Sequence, residues 1–124
     1  MASIGRGARD KGANYERRVA KILSAKFGVP VKRTGSQERW GFYSGDVNAP
    51  KNIKTILNDF FWECKNREAW AILNWFSKAK DDVRGDSMPV VVASKNNEDD
   101  YVFLTLQDFL KILYELEGYR KEED

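Results

Sequence analysis

Glu63 and Lys65 close an apolar run, Phe60-Phe61-Trp62-Glu63-Cys64-Lys65, and Asp46 lies seventeen residues upstream in Ser44-Gly45-Asp46-Val47. On a strand, residues two apart point to the same face, so Glu63 and Lys65 project together from a segment rich in Phe and Trp. An acid and an amine held side by side, with a second acid nearby, suit a divalent-metal phosphodiesterase site. The same Glu-x-Lys also fits an amphipathic edge strand with a surface salt pair, and the tripeptide alone does not choose between the two.

A third acid is placed oddly. From Gly12 to Phe27 the apolar residues Tyr15, Val19, Ile22, Leu23 and Phe27 recur at helical spacing, and Gly28 supplies a stop signal. Steps of about 100° per residue put Arg17, Arg18, Lys21 and Ser24 on one side and the apolar set on the other. Glu16 falls inside the apolar arc. A carboxylate aimed at a core is costly unless it is paired or binds a metal, although near a helix start it can also bend out to solvent or meet a lysine.

If the strands bearing Asp46 and Glu63 are adjacent and antiparallel, the two acids approach each other near the first half of this helix. Carboxylates so placed repel unless a cation lies between them. Oxygen ligands without histidine or thiolate select Mg2+, with Mn2+ able to substitute. Such an ion polarises a scissile phosphate and activates water. Lys65 would then stabilise charge on the phosphoryl oxygens or hold the attacking water; taken alone, it also reads as a solvated charge at a strand end.

Composition removes the alternatives to carboxylate and lysine chemistry. The chain has 124 residues, no histidine and one cysteine, Cys64. An internal disulfide, zinc and iron–sulfur clusters, and Ser/His or Cys/His nucleophilic catalysis are therefore not expected. The net charge is only +2, but residues 1–39 hold ten basic residues against three acidic ones. Arg9, Lys11, Lys32, Arg33 and Arg39 are candidate contacts to DNA phosphates, each also readable as an ordinary solvated charge. No segment approaches the length of a membrane span, and the start lacks the apolar stretch of a signal peptide; a cytoplasmic, intracellular protein is the default expectation.

The elements that would position these residues follow from periodicity and punctuation. Residues 1–10 read as a flexible basic arm, residues 11–118 as one domain and residues 119–124 as a charged tail. Val29–Arg33 is a short strand candidate, followed by a polar, glycine-punctuated loop to Gly41. Phe42–Val47 and Asp59–Lys65 read as further strands joined by a connection containing Pro50. A second helix is expected after Asn66, a good cap, running to Val83 with Ile72, Phe76, Ala79 and Val83 on one face. Trp70 falls opposite that face; it fits a dimer surface, base stacking, or packing against the strand-to-helix loop. Trp62 and Trp75 read as core. Pro89–Ala93 is a continuous apolar run suited to a strand covered on both sides, and Tyr101–Leu104 is the next strand. Thr105-Leu106-Gln107-Asp108 resembles a capping box and opens a third helix, with Leu106, Phe109, Leu110, Leu113 and Leu116 on the expected buried side. The fold class is α/β, a mixed central sheet flanked by helices.

With Asp46 and then Glu63-Cys64-Lys65 on strands after a helix bearing Glu16, the chain resembles the PD-(D/E)XK nuclease superfamily, and within it the archaeal-type Holliday junction resolvases. Lys11-Gly12-Ala13-Asn14-Tyr15-Glu16-Arg17 is similar to their opening, and Lys32-Arg33-Thr34-Gly35-Ser36 to their basic strand end and Gly-Ser loop; the resemblance spans residues 9–110. It implies a restriction-endonuclease-like core. It also implies Asp46 and Glu63 as metal ligands with the Cys64 backbone carbonyl, Glu16 completing the acidic cluster, Lys65 as the catalytic lysine, and Ser36 near the cleaved phosphate. The implied partners are four-way, branched DNA and a second copy of the chain, in a homodimer that makes paired symmetrical cuts. Two departures stand out. Gly45 precedes Asp46 where the family usually has Pro, and the connection from Asp46 to Glu63 is several residues longer.

Overall fold

The computed structural model describes residues 2–34, 45–83, 85–96 and 98–123. The order of elements is α1 (Ala2–Phe27), β1 (Lys32–Arg33), β2 (Val47–Asn48), a 3-10 turn (Ile56–Asp59), β3 (Phe60–Asn66), α2 (Ile72–Asp82), β4 (Met88–Ser94), β5 (Tyr101–Phe103) and α3 (Leu106–Glu123). Strands β3, β4 and β5 form a mixed sheet: β3 runs parallel to β4 with Glu63 opposite Val91 and Lys65 opposite Ala93, and β5 is antiparallel to β4. The parallel pair requires a crossover, which α2 supplies. A separate two-stranded antiparallel ladder joins β1 to β2, Lys32 opposite Asn48.

The core lies where α1 meets the sheet. Tyr15, Val19 and Ala20 pack with Val31, Val47, Leu57, Cys64 and Val92, and Leu23 and Trp62 close around them. In β4 every residue from Val90 to Ser94 is buried, which accounts for its unbroken apolar run. Helix α1 ends at Gly28, whose φ of +67° is the left-handed conformation a helix stop uses and whose N–H returns to the Ser24 carbonyl at 2.8 Å. Ser24 then accepts from Val31 N–H through Oγ at 2.8 Å, so the chain turns back before β1 can begin.

Several boundaries differ from those expected. Helix α1 runs through residues 2–10, where an arm was expected, because a stable helix over 12–27 can propagate through single glycines at a cost of about 1 kcal/mol each. Val29–Val31 lie outside β1, and residues 42–44 of the second predicted strand lie outside the described residues. Asn66 caps no helix; it is the last residue of β3, opposite Ser94, and α2 starts at Ile72 behind Ala71 without a side-chain cap. Thr105 does cap α3, its Oγ1 accepting from Asp108 N–H at 3.1 Å. Helix α3 continues through the expected tail to Glu123 and buries no residue, so the side predicted to be buried is solvent-facing. Trp70 lies before α2, in the connection from β3, and packs edge-on against Tyr101 and Phe103 of β5 rather than against that connection, which it meets only through its indole N–H on the Arg67 carbonyl at 3.0 Å.

Candidate active site

The site is built on the edge of β3 that faces away from β4. Asp46 N–H donates to the Trp62 carbonyl at 2.6 Å, and Cys64 N–H donates to Asp46 Oδ2 at 2.8 Å. The residue just before β2 is thereby clamped to the middle of β3. Backbone N–H and C=O of one strand residue project to the same side, so the Cys64 carbonyl also faces the Asp46 edge. Gly45 makes this approach possible: a Cβ at that position would lie 2.4 Å from the Trp62 carbonyl oxygen and 2.5 Å from its nitrogen. The substitution of glycine for the family's usual proline thus has a steric counterpart in β3.

Glu63 and Lys65 share one face of β3, as their two-residue spacing requires. Glu63 is 6 % exposed, and Lys65 Nζ lies 3.3 Å from its Oε1. Burial pushes the Glu63 carboxyl above its ordinary range, and the charge of Asp46 adds to the push; Lys65 and Lys78 oppose it. Asp46 is 5 % exposed. Two buried acids, one raised partly by the other, stand ready for a cation.

Glu16 is buried on α1, where the sequence placed its carboxylate among apolar neighbours. Its compensation is Arg33 of β1, whose Nε donates to Glu16 Oε2 at 3.2 Å. Cys64 is the residue the three acids share. Burial first, then the charges of Asp46, Glu16 and Glu63, push its thiol well above its usual range. Among the described residues no group of three or more His, Cys, Asp or Glu forms a ready metal cage. The residues that could hold a cation are instead two carboxylates, Asp46 and Glu63, with the Cys64 carbonyl on the edge that Asp46 faces. That set suits a hard divalent cation of the kind that keeps several waters and binds through one or two carboxylates.

The basic candidates do not converge equally. Arg33 is engaged with Glu16, and Lys32 is exposed beside it on β1. Arg9 is exposed on α1, and Lys11 reaches Glu68 at 3.9 Å. Ser36 and Arg39 lie outside the described residues.

Three contributors escaped sequence reading. Asn48 donates from Nδ2 to Thr34 Oγ1 and, at 3.0 Å, to the Gly45 carbonyl, so it ties β1 to the residue before Asp46. Asp100 accepts from the Tyr15 hydroxyl at 3.0 Å and from Arg18 at 2.7 Å, fixing the α1 turn that carries Glu16 to the chain entering β5. Lys78 of α2 acts on Glu63 through space. The one available signal was the side-by-side pair Tyr15 and Arg18, one turn apart on α1, which share an acceptor eighty-odd residues away.

A family model described as phage putative PDDEXK endonuclease matches residues 7–122. The chain belongs to this family. It is therefore a member of the PD-(D/E)XK nuclease superfamily, whose enzymes typically use divalent metals, and the mixed α/β architecture described above accords with that core. The match does not reach to the junction-resolving branch. Comparison with curated proteins and with solved structures gave no match. No helix among the described residues of this family member is long and apolar enough to cross a membrane.

Proposed function

We propose that this chain is a magnesium-dependent, structure-selective endodeoxyribonuclease that resolves four-way DNA junctions by paired symmetrical cuts, acting as a homodimer. The observation that carries the nuclease reading is the buried pair Asp46 and Glu63 at one edge of β3 with Lys65 at 3.3 Å from Glu63. Asp46 and Glu63, with the Cys64 carbonyl, would hold the metal; when bound, it polarises the scissile phosphate and lowers the pKa of a water.

The residues of the chain do the rest. Lys65 sits where its ammonium neutralises charge accumulating on the phosphoryl oxygens or holds the attacking water, and Glu63 fixes its position. Glu16 acts beside this pair by holding Arg33, whose guanidinium, together with Lys32, gives a cationic approach for the DNA backbone. Arg9 and Lys11 of α1 and Arg39 are further candidates for phosphate contact, and by resemblance Ser36 contacts the cleaved phosphate. Phosphate contacts of this kind supply affinity without base readout, which suits recognition by shape.

A second reading is favoured by the family itself, which names an endonuclease and no junction: cleavage of duplex or flapped DNA by the same chemistry. The deciding experiment is cleavage of a labelled four-way junction beside matched duplex and flap substrates, with magnesium, with manganese and with chelator. Paired cuts confined to the junction support the resolvase. Equal cutting of duplex supports the broader nuclease, and metal-independent binding without cleavage refutes both in favour of a DNA-binding module.

A further inference from the structure

Helix α3 carries an apolar stripe with nothing on it. Leu106, Phe109, Leu113 and Leu116 repeat at alternating intervals of three and four, with Leu110 beside them, and they are 70 %, 45 %, 41 %, 44 % and, for Leu110, 52 % exposed. The opposite side of the helix is the one turned to the body: Lys111, Ile112 and Glu115 line a hollow with Ile56 and Met88. The helix therefore rests on the domain by its mixed face and offers its leucines outward. With Leu110 the spacing is the i, i+3, i+4, i+7 stripe of a helix that covers an apolar partner, and within it Leu106, Phe109, Leu113 and Leu116 keep the 3-4 seam of paired helices.

We infer that this face is the interface for a second copy of the chain, with the two α3 helices packed antiparallel. The area comes close. Four leucines and one phenylalanine present on the order of 150 Å² each, the low end of the aromatic range, so at these exposures they leave roughly 400 Å² of apolar surface per copy. Two copies bury roughly 800 Å² from these residues alone, most of the roughly 1,000 Å² that a specific interface must clear, with the residues flanking the stripe left to supply the rest. Antiparallel seams place first-position residues opposite fourth-position ones, which sets Leu106 against the other copy's Leu116 and Phe109 against its Leu113. Charge selects the same orientation. Glu117 lies in the C-terminal half of α3, with Lys121 3.8 Å from it one turn on. In the antiparallel pair Glu117 lies beside the positive N-terminal end of the other helix.

This inference rests on the homodimer of the proposed function and not on the nuclease chemistry, so its test needs no DNA, and dimers that survive the seam variants separate a wrong interface from a wrong oligomeric state. The mass of the full chain is measured by light scattering and sedimentation equilibrium from low-micromolar to submillimolar concentration. A dimer is expected. Leu113→Glu, which sets a carboxylate against the other copy's Phe109 at the seam, should raise the dissociation constant at least about a hundredfold with an unchanged far-ultraviolet spectrum. Phe109→Glu should do the same, whereas Tyr114→Glu, on the 82 % exposed Tyr114 outside the seam, should leave the dimer intact. Under oxidation, a mixture of Leu106→Cys and Leu116→Cys should cross-link while neither variant does so alone; Cys64 is buried and does not compete. A wild-type chain that stays monomeric overturns the inference and leaves the face to a different protein. Dimers that survive both glutamate variants overturn it as well, and self-cross-linking of Leu106→Cys overturns the antiparallel arrangement.

Discussion

Replacing Gly45 by alanine should cripple the site while leaving the chain folded. The added Cβ would stand 2.4 Å from the Trp62 carbonyl oxygen, where side-chain carbons do not come within 3.0 Å, and both nearest atoms are backbone and cannot rotate aside. Residues 45 and 62 must therefore separate by at least about 0.6 Å, which stretches the 2.6 Å bond from Asp46 N–H to the Trp62 carbonyl toward the limit of a useful hydrogen bond. Catalytic constellations tolerate roughly 0.5 Å, and a misplacement near 1 Å costs about a hundredfold. The turnover number should fall roughly 10- to 100-fold at saturating DNA and metal, with DNA affinity unchanged. Overpacking of this kind also costs about 1–3 kcal/mol of stability, or several degrees in Tm for a chain of this length. Gly28→Ala supplies the control: its φ of +67° strains any side chain, but nothing lies within 4 Å of the added carbon and no site residue depends on it. It should lose stability and keep its turnover number. The assay is single-turnover cleavage of the preferred substrate below both melting temperatures. A Gly45→Ala variant that melts like the parent and cuts like the parent refutes the steric clamp; equal loss of turnover in both variants refutes its specific role in holding Asp46.

Other consequences follow from the same geometry. Asp46→Asn and Glu63→Gln should each lower cleavage at least about a hundredfold while DNA binding, followed by gel shift, holds or tightens because phosphate repulsion is relieved; parental cutting by either variant refutes the site. Arg33→Ala leaves the buried Glu16 carboxylate without its guanidinium and should cost about 1–3 kcal/mol in denaturant unfolding, most of it recovered in the Glu16→Gln/Arg33→Ala double variant. Burial, reinforced by Asp46, raises the Glu63 carboxyl in the folded chain above its unfolded 4.5, so its charged form is destabilising. In chelator, the wild type should lose stability relative to Glu63→Gln as pH rises from about 4.5 through that raised value, and divalent metal should reverse the trend; a gap independent of pH refutes it. Cys64, buried with its thiol pushed up, should react with a chromogenic disulfide only as fast as the chain unfolds, so fast labelling of native protein contradicts its placement.

How much of this was legible in the sequence depends on distance along the chain. Glu63 and Lys65 could be read from their two-residue spacing, and Glu16 from its place on a helical wheel, because both patterns are local. The partner of Glu16 was not legible, since nothing in the periodicity of α1 names Arg33 on β1. Gly45 read as a departure from the proline usual in the family the chain resembles; its cause is a backbone seventeen residues away. Leu106 to Leu116 show the limit most plainly. Their spacing reports an amphipathic helix, and amphipathicity says that a face wants covering without saying that this chain covers it. The early start of α1 was hidden for the opposite reason: Gly7 and Gly12 look like breaks, yet helix propagation from a well-packed segment overrides them.

The bond from Cys64 N–H to Asp46 Oδ2 gives one carboxylate two employments. Among the described residues it does the work of a strand neighbour at the edge of β3, so the position answers to folding whether or not any phosphodiester is ever cut. A lineage that abandoned cleavage could let Lys65 drift and could exchange Glu63 for a neutral residue with a gain in stability. It could not discard Asp46 so cheaply, because an orphaned amide would remain inside the protein. Degenerate copies of this gene should therefore keep the aspartate after the rest of the site has decayed, and an intact Asp46 in such a copy would record architecture rather than activity.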